Sequence, residues 1–348
     1  MNYFDYLTRL CTAPSPSGFE GPAVSAAREL LSPLVDETSV DRLGSVIGLR
    51  RCGKENAPKV LLDAHLDEVG LIVTGMEEGF LRCTSLGGID SRVLPDREVT
   101  VLTQPPRLGV VAVKPPHIMA PGESDKAIPI GELWIDVGLD QETAEREIPI
   151  GTPIVYREEV FHLAGDQIAG KSLDDRACFA ILLRTLELLQ GEPLDVDMAV
   201  LGSCFEETSG DGALVATFAQ NPDCAIAVDV TFGVTHDGPK EVGFELGKGP
   251  AVGIGPNCSG WMVNLLRRTA KEQEIPFNPE VMAGESGTNG WDMQVAREGL
   301  PVALVSLPLK YMHTPLEVIS GADAEQAAQL LAGFLRHVGK EDALCWKN

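Results

Sequence analysis

Residues 165–187, GDQIAGKSLDDRACFAILLRTLE, form the stretch around which the rest of the chain is arranged. Two adjacent carboxylates, Asp174 and Asp175, come directly before a run of mostly apolar residues. Side chains suited to a buried helix face recur there at helical spacing, at Ala177, Ile181, Leu182, Thr185, Leu186 and Leu189. The spacing predicts a buried helix that begins just after the two carboxylates, where the helix dipole favours negative charge.

The same stretch is compatible with a plain helix cap and with a phosphate loop. An Asp pair at a helix start is often only an N-cap, because Asp accepts hydrogen bonds from the first backbone N–H groups. Residues 165–172 also match the phosphate-loop pattern G-x-x-x-x-G-K-[ST] in full, with Lys171 as its lysine. A phosphate loop, however, offers N–H groups and positive charge to a polyanion, whereas Asp166 lies inside this loop and two more Asp follow it. A nucleotide-binding protein is therefore the weaker alternative.

Composition indicates a globular protein without nucleic-acid or membrane partners. The 348 residues suit one large domain or two, and 44% hydrophobic residues can fill a sizeable core. The net charge of −23 argues against binding to nucleic acid or to an anionic membrane. No apolar run approaches the ~20 residues of a membrane span, and the first residues lack the layout of a signal peptide. The eight Cys show no C-x-x-C spacing. We expect a cytoplasmic protein.

The predicted elements divide the chain into an α/β core and a β-rich insert. In residues 60–73, VLLDAHLDEVGLIV, a continuous apolar run enters the polar group His65-Leu-Asp67-Glu68, as a buried parallel strand does when it ends at a site. Residues 69–161 then read as short strands separated by Gly and Pro, which indicates a small barrel. We therefore expect residues 1–68 and 162–348 to form a catalytic domain and residues 69–161 to form an inserted domain.

Residue types that bind metals occur at five separate element ends of the predicted core. Any one of them could have a purely structural role, since a His at a strand end is usually just hydrogen-bonded and a Glu pair is often a solvated turn. Five such places together indicate a metal site, and mixed imidazole and carboxylate ligands suit zinc, cobalt or manganese. The residues are His65 with Asp67, Asp174, Glu206 with Glu207, Asp229, and His313.

Hydrolysis at two metals accounts for these residue types. Two ions about 3.5–4 Å apart need one bridging carboxylate, and a separate general base must stand near the attacking water. The adjacent Glu206 and Glu207 could divide the tasks of base and ligand if the backbone turns between them. Asp67 could accept the second imidazole N–H of His65 and so fix its tautomer. Spacing alone does not choose between Asp174 and Asp175 as the bridge.

The motifs HLDEVG, KSLDDR, EETSGDG, AVDV and YMHTP, in this order and with a β insert after the first, resemble the M42 family of metallo-aminopeptidases. That family includes the TET aminopeptidases and proteins formerly labelled glucanases. The segments PPH and LWIDVG extend the resemblance into the insert, and so over essentially the whole chain. The resemblance implies an α/β fold: a mixed-sheet di-metal peptidase core with helices on both faces, plus an inserted small β-barrel, PDZ-like, that is used in oligomerisation.

The resemblance also implies a role for each site residue. Two divalent ions, zinc or cobalt, are expected, with Asp174 as the residue that bridges them. The ligands of one ion would be His65, Asp174 and Asp229, and those of the other would be Asp174, Glu207 and His313. Glu206 matches the catalytic base, and Asp67 matches the residue that orients His65.

Two positions depart from the family pattern. Asn289 stands in GTNG where the family has an Asp, and Lys310 precedes the Tyr-x-His motif where the family has Arg. We expect both to lie near the substrate and to affect specificity more than metal binding. An Asp would carry a negative charge that Asn lacks, and Lys keeps the charge of Arg but loses its planar fork.

The prediction is a cytoplasmic di-metal aminopeptidase that removes N-terminal residues from short peptides, with Glu206 passing the proton of the attacking water to the leaving amine. The resemblance implies homo-oligomers, from dimers up to dodecamers. A deacylase or a carboxypeptidase on the same scaffold is the nearest alternative, and an oligomeric binding protein with a decayed site is another. A glucanase is disfavoured, because glycosidases use two carboxylates across a sugar ring and have no need of His ligands.

Overall fold

A large mixed sheet and a small closed barrel are the two β structures of the chain. The structure is a computed structural model, and it describes residues 2–119, 127–239 and 242–339. Within those residues one sheet has eleven strands, and six other strands close into a barrel. This agrees with the predicted α/β class and with a barrel inside the β-rich stretch.

The strands of the sheet are β1 (Glu37–Val40), β2 (Val46–Arg50), β3 (Lys59–His65), β10 (Phe161–His162), β11 (Gln167–Gly170), β12 (Asp197–Ser203), β13 (Cys224–Phe232), β14 (Ala251–Ile254), β15 (Asn278–Val281), β16 (Val302–Lys310) and β17 (Glu317–Ser320). Their order in the sheet is β1-β2-β12-β3-β13-β16-β17-β11-β10, with β14 pairing β16 and β15. The central strands β12, β3, β13 and β16 run parallel to their neighbours within this group. Their continuous apolar sequences are typical of strands covered on both sides.

The helices are α1 (Tyr3–Cys11), α2 (Gly21–Leu31), α3 (Gln141–Glu147), α4 (Leu173–Leu188), α5 (Asp211–Gln220), α6 (Gly260–Glu272), α7 (Asn289–Met293) and α8 (Gly321–His337). Alternate residues of β3 enter different apolar clusters. Val60 and Leu62 pack in the cluster that contains residues of α1, α2, α4, α6 and α8. Leu61 packs with Ala213 of α5 and Met293 of α7. None of the described helices is both long and apolar enough to cross a bilayer.

Helix α4 confirms the prediction made from the Asp pair. Its regular turns follow Asp175, because Asp174 (φ −76°, ψ 108°) and Asp175 (φ −117°, ψ 23°) have non-helical dihedral angles, and the peptide bond between them is cis. The following turns are buried and pack against α8, β3 and α1. The two carboxylates therefore stand at the start of a helix that is anchored in the core.

The barrel consists of β4 (Gly70–Glu77), β5 (Phe80–Leu86), β6 (Glu98–Val101), β7 (Arg107–Val111), β8 (Ile135–Asp136) and β9 (Pro153–Tyr156). It has an apolar core of its own, in which Leu71, Leu81, Val99 and Ile154 are buried. Helix α3 lies within this segment, and it begins at the N-cap Asp140. Strand β8 was not predicted, because two residues are too few to show alternation.

The phosphate-loop alternative is wrong. Residues 167–170 of the motif form strand β11, which pairs with β10 and β17 instead of wrapping as a loop. Lys171 is buried, and its Nζ lies 2.5 Å from Glu68 Oε2. The Asp166 carboxylate accepts the Ala322 N–H at the start of α8. Both charged residues of the motif are thus bound within the protein.

Candidate active site

The carboxyl ends of the central strands bring most of the predicted site residues together. Strand β3 ends at His65, and its neighbour β12 ends at Ser203, which is the register partner of His65. The chain then turns and presents Glu206 and Glu207, both half-buried. Asp229 lies inside β13, and His313 follows β16. Ligand sites in open α/β sheets form at this edge of parallel strands.

Asp174 lies between the two histidines. Its Oδ1 is 3.1 Å from His65 Nε2, and its Oδ2 is 3.3 Å from His313 Nε2. One carboxylate therefore faces two imidazoles with its two separate oxygens. This is the geometry that a bridging ligand needs, and spacing in the sequence could not assign it to Asp174.

The groups around His313 fit a tetrahedral metal ion. His313 Nε2 lies 3.3 Å from Glu207 Oε2 as well as from Asp174 Oδ2. Ligand atoms at the usual zinc distances of about 2.0–2.1 Å and at tetrahedral angles stand roughly 3.3 Å apart. The ligand atoms of these three residues all lie within 4.8 Å of one another.

A further carboxylate, Asp175, stands beside two of the predicted ligands. The ligand atoms of His65, Asp175 and Asp229 lie within 4.8 Å of one another, and Asp174 Oδ1 lies 3.1 Å from His65 Nε2. The Asp175 Oδ2 accepts the backbone N–H of His65 at 3.2 Å. Its Oδ1 is buried without a hydrogen-bond partner in the described part of the chain. Asp175 is therefore a further acidic group beside His65.

Glu206 and Glu207 occupy different positions. The Glu206 Oε2 is 3.7 Å from His65 Nε2, and 17% of its side chain is exposed, against 4% for Glu207. Burial, and then the neighbouring Glu207 and Asp174, raise the pKa of Glu206 to about 8. Burial and the charge of Glu206 also raise the pKa of Asp229 well above its usual value. A set of buried carboxylates that repel one another in this way suits bound cations.

Asp67 organises the turn that carries the two glutamates. Its Oδ1 and Oδ2 accept the backbone N–H groups of Glu206 and Glu207, each at 3.1 Å. The His65 Nδ1 is 3.1 Å from the Asp67 carbonyl oxygen and 3.4 Å from its Oδ1. Both the carbonyl and the carboxylate of Asp67 thus lie beside the imidazole Nδ1, and the carboxylate also holds the turn.

A charge network lies next to the site. Glu68 is buried, and its carboxylate contacts Lys171 Nζ at 2.5 Å and Arg176 Nη2 at 3.1 Å. Against the effect of burial, these two cations lower the pKa of Glu68 to about 2. Arg176 also donates to the carbonyls of Leu66, Leu10 and Ala13, and so connects α4 to the chain beside His65.

Two groups at the site were not predicted from the sequence. Glu317 is buried, and it accepts the backbone N–H groups of both Asp174 and His313. The Gly88 carbonyl, which belongs to the insert, lies 2.8 Å from His313 Nδ1. An acid four residues after the His of YMHTP was a usable signal for Glu317. Gly88 contacts His313 through its backbone carbonyl, so its residue type gave no signal in the sequence.

Asn289 is buried beneath the carboxyl ends of the strands. Its side chain is 2% exposed, and its Nδ2 donates to Asp63 Oδ2 at 2.8 Å and to Ser203 Oγ at 2.9 Å. Ser203 is the register partner of His65, so Asn289 packs behind the end of β3, and its effect on specificity stays a prediction. Lys310 is the last residue of β16, and its register partner is Val318.

Histidines and carboxylates gather where the parallel strands of this mixed sheet end, beside a small barrel. An α/β metallopeptidase has this arrangement. The chain matches the family described as M42 glutamyl aminopeptidase over residues 44–330, and it belongs to that family. Membership makes it an aminopeptidase, and so a hydrolase, of a family that uses divalent metal.

Individual relatives match along nearly their full length. The lysyl aminopeptidase of Pyrococcus furiosus is 31% identical over 345 residues, which cover 97% of this chain and 98% of that protein. The TET aminopeptidase of a marine-sediment Thaumarchaeota archaeon superposes with a TM-score of 0.91 at 28% identity, covering 98% of this chain and 99% of that one. The Pyrococcus horikoshii TET1 peptidase, which can assemble into a tetrahedron or a large octahedral shell, superposes with a TM-score of 0.84 at 25% identity, covering 97% and 100%.

Proposed function

We propose that the chain is a di-metal aminopeptidase that hydrolyses the first peptide bond of short peptides. The observation that carries this proposal is the position of Asp174, whose two oxygens stand 3.1 Å and 3.3 Å from the imidazoles of His65 and His313. A carboxylate shared by two imidazoles is the arrangement expected of a two-metal site.

We propose a ligand set that the donor atoms support. Zinc or cobalt fits the mixture of imidazole nitrogen and carboxylate oxygen, and Asp175 remains available as an acidic neighbour of His65. His65, Asp174 and Asp229 would hold one ion, and Asp174, Glu207 and His313 would hold the other, with Asp174 shared. When bound, such ions supply a water of lowered pKa and polarise the scissile carbonyl.

Glu206 acts as the general base in this proposal. It is more exposed than Glu207, and its carboxylate is farther from the nearest imidazole, 3.7 Å against 3.3 Å. The group can take a proton from the attacking water and return it to the leaving amine. Asp67 supports this step by holding the backbone of the turn with two hydrogen bonds.

We also propose the division of the chain into residues 1–68 and 162–348 as the catalytic domain and residues 69–161 as a PDZ-like insert. Helices on both faces of the sheet are supported by the two clusters that share β3. Assembly into dimers and up to dodecamers through the insert is supported by the shells that TET1 forms and by apolar side chains exposed on the barrel segment, namely Leu108, Val110, Ile118 and Ile150.

An assay with matched substrates tests the function. Lysyl, glutamyl and leucyl p-nitroanilides are compared with their N-acetylated forms, before chelation, after chelation and after Zn²⁺ or Co²⁺ is returned. Cleavage should require a free amine, stop in chelator and resume with metal. Equal cleavage of acetylated substrates would instead indicate another amide hydrolase. Sedimentation of the full-length protein as a monomer at micromolar concentration would contradict the proposed assembly.

A further inference from the structure

The barrel segment borders the site that the core provides. Strand β5 ends at Leu86, and the following glycines, Gly87 and Gly88, pass beside the site. A Cβ on Gly87 would lie 3.4 Å from Glu207, and a Cβ on Gly88 would lie 3.2 Å from His313 Nδ1. The barrel segment therefore contacts His313 through the Gly88 carbonyl and passes close to Glu207.

We propose that Gly88 and Glu317 are positioning groups for His313, so that the barrel forms part of the hydrolytic site as well as an assembly module. This inference rests on the proposed di-metal function. The Gly88 carbonyl, 2.8 Å from Nδ1, can only accept a hydrogen bond, so it requires a proton on Nδ1. The Nε2 lone pair is then directed at the side where Asp174 and Glu207 lie, both 3.3 Å away.

Glu317 holds the backbone of the same residue. Its Oε1 accepts the His313 N–H at 2.9 Å, and its Oε2 accepts the Asp174 N–H at 3.0 Å. His313 has a φ of +59°, a left-handed conformation that non-glycine residues adopt only under strain. One buried carboxylate thus sets the separation of two proposed ligands and stabilises the strained one.

The glycine itself offers a clean perturbation. The φ of Gly88 lies outside the left-handed region, so alanine is compatible with the backbone, and its methyl group would press on the imidazole at 3.2 Å from Nδ1 and 3.6 Å from Cε1. Gly75 in β4 is the matched control, since its φ also lies outside that region and a Cβ there would meet nothing within 4 Å. Comparison of the two isolates the contact with the ring.

The experiment is a Co²⁺ titration of metal-stripped full-length protein in competition with a chromogenic chelator, with the visible spectrum of bound Co²⁺ recorded. Wild type and Gly75→Ala should bind two ions with the same affinities. Gly88→Ala keeps the carbonyl, but its methyl group should displace the ring from it, so one ion should bind 10–100-fold more weakly, the usual effect of misorienting a ligand, and with an altered cobalt spectrum. Glu317→Gln, which replaces one of the two acceptors by an amide NH₂, should weaken the same ion at least 10-fold. Melting temperatures of the metal-free Gly88→Ala and Gly75→Ala proteins should agree.

The outcomes separate this inference from the function on which it rests. A wild type that binds two Co²⁺ and cleaves peptides, with Gly88→Ala unchanged in affinity and spectrum, overturns the role of Gly88. An unchanged Glu317→Gln overturns the role of Glu317, and this variant carries the test if Gly88→Ala does not fold. A wild type that binds no Co²⁺ contradicts both the proposed function and the inference.

Discussion

Replacing Glu206 and Glu207 one at a time by Gln separates a base from a ligand. The two residues are adjacent and chemically identical, and Gln keeps the shape of Glu at each. In the structure Glu206 is the more exposed, and its Oε2 is 3.7 Å from His65 Nε2, whereas Glu207 Oε2 is 3.3 Å from His313 Nε2. Glu207, which is more buried and closer to its imidazole, is the better ligand. Glu206, which is farther from its imidazole, has room for a water molecule.

The size of each effect follows from these positions. Glu206→Gln removes proton transfer, so kcat should fall by ~10²–10⁴, about 3–5 kcal/mol of activation free energy. Burial and nearby carboxylates already raise the pKa of Glu206 to about 8, so the neutral amide should not destabilise the fold. Metal stoichiometry should stay that of wild type. Glu207→Gln should instead weaken one ion, and excess metal should partly restore turnover.

The assay is kcat and bound metal per chain, measured on both variants and on Glu55→Gln, which changes an exposed glutamate of the surface and should resemble wild type. If Glu206→Gln loses an ion while Glu207→Gln keeps both, the two roles are reversed. If neither variant is slower than wild type, the two-metal hydrolytic mechanism is wrong.

Three further predictions concern residues outside the reacting groups. Asp166→Ala should lower the free energy of unfolding by about 1 kcal/mol at neutral pH, because the Asp166 carboxylate caps α8. That contact lowers the pKa of Asp166, so the difference from wild type, measured by urea unfolding, should vanish as the pH falls through the pKa of the folded state. Lys171→Met should lower the free energy of unfolding by about 3 kcal/mol by removing a cation from buried Glu68, and ATP should not raise the melting temperature of wild type. Asn289→Asp sets a second carboxyl group against Asp63, and burial raises the pKa of Asp63 to about 6. Because the two carboxylates repel each other when both are ionised, the metal-free variant should lose more stability at pH 8 than at pH 5.

The parts of the fold that sequence could predict are those with strong periodicity. The run in residues 60–73 predicted a buried strand, and it is β3 followed by β4. Helical spacing after Asp175 predicted α4, and frequent Gly and Pro predicted a barrel. In each case the local pattern and the tertiary environment favour the same structure.

The motif at residues 165–172 shows where local pattern fails. Its letters fit a phosphate loop, but the conformation is set by distant partners: Lys171 pairs with Glu68, 103 positions away, and Asp166 caps a helix 156 positions away. The spacing of residues within a short motif does not indicate contacts with residues so distant in the sequence. The same is true of Gly88, which contacts His313 across 225 positions through its backbone, and of Asn289, which a distant strand buries against Asp63.

The contrast between two buried acidic groups gives the strongest physical reason to expect cations at the site. Glu68 is fully buried, yet its pKa is lowered to about 2, because Lys171 and Arg176 supply positive charge inside the protein. Asp229 is buried and Glu206 is half-buried, and burial together with the carboxylates beside them raises the pKa values of both, against the lowering effect of His65. Burying an ionised carboxylate is tolerated only when it is compensated. The chain compensates the charge of Glu68 with its own cationic side chains. Around Glu206 and Asp229, imidazole nitrogens and carboxylate oxygens instead stand at the spacing of metal ligands, so divalent ions fit as the compensating charge.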